Sequence, residues 1–196
     1  MDDEYFMRLA LDEAMLAYKE EEVPVGALLV IEGQVIAASH NIREKTHDPT
    51  AHAEVLVLRE AAIKLGRWRL TDAVLYVTKE PCIMCAGAMI NSRIGRLVYG
   101  CRDIKAGAVD SLYEILTDKR LNHRVEVKSG VLSGECAGLL KDFFFNRRGG
   151  RVVEGGGLEN RCGGDSTGGS NPPFSASCKK RGIARPICNL YETSDI

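Results

Sequence analysis

Two short motifs constrain the fold of this chain more than anything else in it. The first is Asp48-Pro49-Thr50-Ala51-His52-Ala53-Glu54; the second is Glu80-Pro81-Cys82-Ile83-Met84-Cys85. A gap of roughly one β-strand and its loops separates them. Cys82 and Cys85 stand three apart, and residues at that spacing share a helix face, so both sulfurs reach one ion. Pro81 suits the first helical position, where its fixed φ and missing N–H cost nothing. The positive end of the helix dipole then favours the thiolates that metal binding requires. His52 is expected in the first turn of another helix, with Thr50 as its N-cap. One nitrogen and two sulfurs make three ligands. A structural zinc site normally closes with four, whereas a catalytic one keeps a position for water. Glu54, two residues on from His52, points away from the imidazole direction on a helix. It is read as the carboxylate that handles a proton near the metal, not as a fourth ligand. A closed structural zinc is the competing reading, and the missing fourth ligand argues against it.

The remaining sequence predicts a layered α/β domain around these motifs. Phe6, Leu9, Ala10, Ala14 and Ala17 recur at helical spacing and predict an amphipathic helix over about 3–21. Val25 to Ile31 is almost continuously apolar, as in a strand covered on both faces. Glu32-Gly33 is a two-residue turn into a second strand, Gln34 to Ser39. A loop from His40 to Pro49 precedes the His52 helix, which stops at Gly66. Further strands are expected at Val74–Val77, Ile94–Tyr99 and Val125–Lys128. A helix follows Cys82, a polar loop covers Gly100–Gly107, and a short helix is expected over Ser111–Leu116. The last helix runs from Ser133, its cap, to Arg147, with Cys136, Leu139, Leu140 and Phe143 inward.

At 196 residues the chain has room for one domain with a full core. A net charge of −1 excludes the broad basic footprint of a nonspecific nucleic-acid binder, so any such contact rests on a local patch. The acidic start Met1-Asp2-Asp3-Glu4 is not a secretory signal, and the apolar run Ala27–Ile31 is far too short to span a bilayer. No membrane association is expected. Seven cysteines, an odd number with two assigned to the metal, fit a reducing cytoplasm better than a disulfide framework.

With both motifs placed, the sequence resembles the bacterial tRNA-specific adenosine deaminases from about Tyr5 to Arg148. His52-Ala53-Glu54 and Pro81-Cys82-Ile83-Met84-Cys85 alone indicate the wider cytidine-deaminase-like superfamily, whose zinc nucleobase deaminases share that signature. Four stretches narrow it: Ala86-Gly87-Ala88-Met89-Ile90-Asn91-Ser92-Arg93-Ile94, Asp103-Ile104-Lys105-Ala106-Gly107-Ala108, Asn122-His123-Arg124-Val125 and Asp142-Phe143-Phe144. The resemblance implies a three-layer α/β/α sandwich with a five-stranded mixed sheet, a homodimer, and one Zn2+ per subunit. It also implies conversion of the wobble adenosine of a transfer RNA anticodon to inosine. Zinc on His52, Cys82 and Cys85 would make its water acidic. Glu54 would take that proton, give it to N1 of adenine, and shuttle again as ammonia leaves C6.

Asn41 matches a family position that contacts the base, and Asp103 and Lys105 match positions close to the bound nucleotide. The backbone at Ala53 and around Pro81 offers further polar contacts. Arg93, Arg124, Lys141, Arg147 and Arg148 are candidates for phosphates of the anticodon loop, and Phe143, Phe144 and Phe145 for stacking on a splayed base. The bland alternatives are Asn41 as a turn cap, the basic residues as solvated, and the Phe residues as core or dimer interface. His47 and His123 are read as structural or RNA-facing, His40 as strand-end packing, and Cys101 and Cys136 as buried apolar thiols. Two residues depart from the family pattern: Lys79, where Leu is common, and Ala106, where Thr is common. Two other functions share the motifs, a small-molecule cytosine or guanine deaminase and a noncatalytic RNA-binding subunit. The intact Glu54 argues against the second.

The deaminase domain is assigned to residues 1–148. Residues 149–196 hold 10 of the 20 glycines, few large apolar residues and no period, and read as a disordered tail without a family counterpart. Its Gly169-Ser170-Asn171-Pro172 is what GGTTCGAATCC, a T-arm sequence of many transfer RNA genes, encodes in one frame. The tail is therefore expected to be a frame running on into a neighbouring serine transfer RNA gene, with an ordinary flexible tail as the alternative.

Overall fold

Alternation along the central strands divides the core into two halves. Ala27, Leu29, Leu75, Val77, Leu97 and Tyr99 pack on one side with Val57, Ala61, Cys85 and Met89. Leu28, Val30, Tyr76 and Val98 pack on the other with Phe6, Met7 and Ala10. Successive strand residues point to opposite faces, so a strand apolar at every position demands cover on both. The computed structural model describes residues 2–149. Apart from Gly149, the glycine-rich tail lies outside the described residues.

The cover is helical. In chain order the elements are α1 (Asp3–Lys19), β1 (Gly26–Ile31), β2 (Gln34–His40), α2 (Arg43–Thr46), α3 (Ala53–Leu65), β3 (Val74–Lys79), α4 (Ile83–Ser92), β4 (Arg96–Cys101), β5 (Glu126–Ser129) and α5 (Ser133–Gly149). The sheet runs β2-β1-β3-β4-β5, with β1 antiparallel to both neighbours and β3, β4 and β5 parallel. Helices α3 and α4 cover the first face and α1 and α5 the second. The five-stranded mixed sheet between two helical layers is the sandwich expected from the sequence. The β1–β2 turn has positive φ at both Glu32 (49°) and Gly33 (78°), matching the right-handed twist of a two-residue hairpin. Gly26 lets α1 lie directly on β1, because a Cβ there would stand 2.1 Å from the Ala10 carbonyl oxygen.

Four local expectations change. The loop after β2 contains a short helix, α2, whose Lys45 N–H donates to the buried Glu22 carboxylate at 2.8 Å. Ser111–Leu116 forms turns and not a helix, because the N–H groups of Val109, Asp110 and Ser111 all turn inward to Glu80. His52 is itself the N-cap residue of α3, with extended backbone (φ −83°, ψ 146°), while the Thr50 N–H and hydroxyl are taken by Asp48. Cys82 is likewise the N-cap of α4, so Pro81 stands one residue before the helix. Among the described residues no helix is long and apolar enough to cross a membrane.

Candidate active site

Strand β3 is the hinge of the site. It is parallel to β4, and parallel neighbours need a crossover, which α4 supplies. The chain therefore leaves β3 at Lys79 and enters α4 immediately, placing Glu80, Pro81 and Cys82 at the carboxyl edge of the sheet, where α/β folds collect their ligands. Because β1 is antiparallel to β3, its start lies at the same edge: the Gly26 N–H donates to Thr78 Oγ at 3.2 Å. The end of β2 leaves there too, and Asn41 follows it.

Asn41 ties α3 to that edge. It is 6% exposed, its Oδ1 accepts the Ala53 N–H at 2.9 Å, and its Nδ2 donates to the Val23 carbonyl at 3.2 Å. A helix start leaves unpaired N–H groups, and with no side-chain cap from His52 itself, Asn41 satisfies one of them from a distant strand. Asn41, expected as a substrate contact or a turn cap, thus caps a helix in place of the expected Thr50, and it also lines the cavity described below.

So anchored, α3 presents His52 to α4. Nδ1 of His52 lies 3.7 Å from Cys82 Sγ and 3.5 Å from Cys85 Sγ, and the two sulfurs are 3.6 Å apart. These three donor atoms lie within 4.8 Å of one another and could hold one metal ion, and Glu54 is not part of the group. The thiols divide sharply: the hydrogen bond with Cys85 foremost, aided by His52, draws the Cys82 pKa down to about 3. Cys85 is driven up by that same hydrogen bond, by burial and by Glu54. Two sulfurs 3.6 Å apart disfavour a second negative charge, so one keeps its proton; a divalent cation between them would let both ligate as thiolates. His52 is raised, with the Cys82 sulfur as the main cause.

Glu54 lies in the first turn of α3 and is 4% exposed. Burial raises its carboxyl pKa, against the pull of its own backbone N–H and of His52. A carboxyl so placed is poised to hold and to release a proton. It opens, with His52, Cys82 and Asn41, onto a cavity of about 260 Å³. That volume lies just below the usual range of about 300–1,000 Å³ for ligand pockets and suits one planar base more than a length of polynucleotide.

The cavity wall contains two residues that sequence reasoning passed over, Arg43 and Glu80, and two that it noted only as departures from the family pattern, Lys79 and Ala106. Arg43, Lys79, Glu80 and Ala106 line it together with Asp103 and Phe144. Lys79 Nζ is 2.6 Å from Asp103 Oδ2. Burial raises the Asp103 carboxyl, but Lys79 and the backbone N–H groups of Lys105 and Ala106 outweigh it and hold its pKa below the ordinary range. The clue to Lys79 and Ala106 was their departure from the family pattern; Glu80 and Arg43 gave none.

Other candidates stand elsewhere. The Ala53 N–H is consumed by Asn41, and the Pro81 carbonyl accepts the Ala108 N–H at 2.9 Å; neither residue lines the cavity. Lys105 and Arg124 are exposed. Arg93, in the left-handed C-cap of α4, donates to the Asn122 carbonyl at 2.9 Å. Phe143 is buried at 4% exposure, Phe144 meets the cavity at 47%, and Phe145 faces solvent. Arg147 stacks over Phe143 at 5.2 Å; the side chain of Arg148 is outside the described part. His123 binds the Ile94 carbonyl oxygen at 2.7 Å and His40 pairs with Glu13 at 2.9 Å, both structural contacts. Cys101 and Cys136 are buried thiols.

Comparison with known proteins agrees with this geometry. Residues 1–148 match the family model of the MafB19-like deaminases. A tRNA-specific adenosine deaminase of Bacillus subtilis (strain 168) is 51% identical over 142 residues, 72% of this chain and 88% of that one. A solved structure from a study of A-to-I editing by tRNA:A34 deaminases at the wobble position superposes with a TM-score of 0.67 at 48% identity, covering 69% of this chain and 99% of the other. A guanine deaminase from Nitrosomonas europaea shares the fold at a TM-score of 0.63 and 26% identity, over 71% of this chain and 83% of its own. A His-Cys-Cys set that could hold a metal ion beside a buried carboxyl, together with half-identity over most of this chain and of that relative, decides the matter: the chain belongs to the tRNA-specific adenosine deaminase family.

Proposed function

We propose that the protein is a zinc-dependent hydrolase that converts adenosine to inosine at the wobble position of a transfer RNA anticodon, releasing ammonia. The observation that carries this is the buried Glu54 carboxyl beside three convergent metal donors at a one-base cavity. Residues 1–148 are its catalytic domain, the span matched by the family model.

Zinc fits the donors. Tetrahedral bonds of about 2.3 Å to sulfur and about 2.0–2.1 Å to nitrogen put two sulfurs about 3.8 Å apart and each sulfur about 3.6 Å from the nitrogen. The distances in this chain are 3.6 Å for the sulfur pair and 3.5 and 3.7 Å to His52. Bound by His52, Cys82 and Cys85, one zinc per subunit would bring the pKa of a coordinated water toward neutrality, with a fourth position left open for it.

Glu54 does the proton work. Its carboxylate takes the proton from the attacking water and, as an acid, gives it to N1 of the adenine. Water oxygen bonds to C6, and Glu54 carries the second proton to the departing amino group so that ammonia leaves instead of an amide anion. Burial suits it to both halves, since a carboxyl with a raised pKa is the stronger proton acceptor as a base and is more readily reprotonated to act as an acid. Asn41 orients the base: each polar atom spends one hydrogen bond on the fold, leaving an Nδ2 hydrogen and an Oδ1 lone pair for a purine edge. Asp103, held by Lys79, contacts the nucleotide at the rim, and Phe144 stacks on a neighbouring base of the splayed loop. The exposed Lys105, Arg124 and Arg147, together with Arg93 and Arg148, are assigned to phosphates of the anticodon arm.

A guanine deaminase shares the fold but stands at 26% identity, against 48% for the tRNA:A34 deaminase structure. A cytoplasmic homodimer goes with this reading: transfer RNA is a cytoplasmic substrate, the four cysteines of the described residues are free as suits a reducing medium, and exposed Ile83, Leu112 and Tyr113 leave apolar surface for a second copy. The test offers purified protein a synthetic anticodon arm with adenosine at the wobble site beside free adenosine, cytosine and guanine. Inosine at that one site, with a rate that falls steeply as salt rises, is expected. Turnover of free guanine or cytosine with the arm untouched overturns the proposal.

A further inference from the structure

We propose that Glu80 is a positioning residue for the substrate rim: its buried carboxylate gathers the backbone of residues 103–111 and thereby sets where Asp103 stands. The functional weight of this rests on the reading of Asp103 as a nucleotide contact.

Glu80 is 2% exposed and sits between β3 and α4. Its Oε1 accepts the N–H groups of Val109 at 3.2 Å, Asp110 at 2.8 Å and Ser111 at 2.9 Å. Its Oε2 accepts the Asp103 N–H at 2.9 Å and the Ser111 hydroxyl. Five donors saturate a carboxylate, whose two oxygens offer about four lone-pair sites, so some of these bonds share a lone pair. The segment they come from belongs to no helix or ladder; its other ties are short backbone bonds such as Gly107 N–H to Asp103 O at 2.8 Å and Ala108 N–H to Pro81 O at 2.9 Å. Gly107 is glycine for the same reason, since a Cβ there would lie 2.4 Å from the Glu80 carboxyl carbon.

Burying a carboxylate is costly, and an apolar side chain would fill the same space more cheaply. The charge earns its place through the loop. Lys79 and Glu80 are consecutive, yet both end on Asp103, one on its carboxylate at 2.6 Å and the other on its N–H. Two residues further on is Cys82, which is bridged to Gly107. The rim that meets the nucleotide is thus tied to the turn that carries a metal ligand, and Glu80 fixes the distance between them.

Glu80→Gln tests this in the zinc-loaded full chain. The amide keeps one acceptor oxygen for Val109, Asp110 and Ser111 but turns an NH2 toward the Asp103 N–H. Amide hydrogen exchange by mass spectrometry is expected to quicken about ten-fold or more over residues 103–111, with α3, α4 and the zinc content unchanged. The kcat/KM on the anticodon arm is expected to fall about ten- to a hundred-fold. In an Asp103→Ala background the same change is expected to cost less than about two-fold, because the position it secures no longer matters. Ser111→Ala, which removes one donor, is expected to give a smaller rise in exchange over the same segment. Unchanged exchange over 103–111 in both variants overturns the positioning role whatever Asp103 does, and so do losses that add fully in the double variant. If Asp103→Ala leaves the KM for the arm unchanged, the nucleotide role of Asp103 falls instead, and the exchange data still judge the clamp.

Discussion

Asn41→Ala removes a buried amide that holds two backbone groups. The Ala53 N–H, 2.9 Å from Oδ1, and the Val23 carbonyl, 3.2 Å from Nδ2, both lose their partner at a position only 6% exposed. An orphaned buried polar group costs about 1–3 kcal/mol, so the pair is expected to destabilise the fold by about 2–6 kcal/mol. The damage is local as well, because Ala53 sits between His52 and Glu54 at the first turn of α3. Zinc affinity should therefore fall alongside stability. Urea denaturation of parent and variant, both zinc-loaded, reads the first effect as a lower midpoint at unchanged slope; competition with a colorimetric chelator reads the second. Asn41→Asp separates capping from substrate contact. An aspartate still accepts the Ala53 N–H but turns a carboxylate oxygen toward the Val23 carbonyl and adds a charge beside Glu54. It should recover part of the lost stability and little of the turnover. An Asn41→Ala protein within about 0.5 kcal/mol of the parent, a change typical of surface substitutions, would refute the capping role.

Burial raises the Asp3 carboxyl, but hydrogen bonds from Lys128, Tyr76 and Arg96 outweigh it and bring the pKa from 3.8 to about 2. That fall corresponds to about 2 kcal/mol of stability, present above the unfolded-state pKa and lost as pH drops through about 2. Asp3→Asn should show this deficit at pH 7, and thermal melts of the two proteins should converge between about pH 4 and pH 2. Glu54→Gln should keep its metal and its fold while turnover on the anticodon arm drops about 10²–10⁴-fold; metal analysis with single-turnover kinetics checks it, and surviving activity removes Glu54 from the chemistry.

Much of this molecule was legible in the sequence, and the exceptions share a cause. The apolar run over β1 announced a strand covered on both faces, and Glu32-Gly33 announced its hairpin, because local periodicity and turn chemistry carry those signals. Three residues of the metal set could be named because they sit at fixed short spacings within motifs. What spacing could not supply was the partner across the fold. Nothing in the residues around Asn41 says that its side chain caps a helix twelve positions later. Nothing around Ser111 says that its N–H will serve Glu80, and that distant bond is why an expected helix became turns. Likewise Thr50 looked like the cap of α3 on residue type, but Asp48 claims it first and the helix begins after His52. The choice among Phe143, Phe144 and Phe145 also needed the packing: Tyr18 on α1 meets Phe143 edge-on and leaves Phe144 for the cavity.

The central claim is that His52, Cys82 and Cys85 hold one catalytic zinc with a position to spare. X-ray absorption at the zinc edge on the purified protein tests it most directly. The account predicts one zinc per chain with two sulfurs at about 2.3 Å and two lighter atoms at about 2.0–2.1 Å, one the imidazole nitrogen and the other exchangeable solvent. A chain free of zinc, or a zinc closed by a third sulfur, would contradict it.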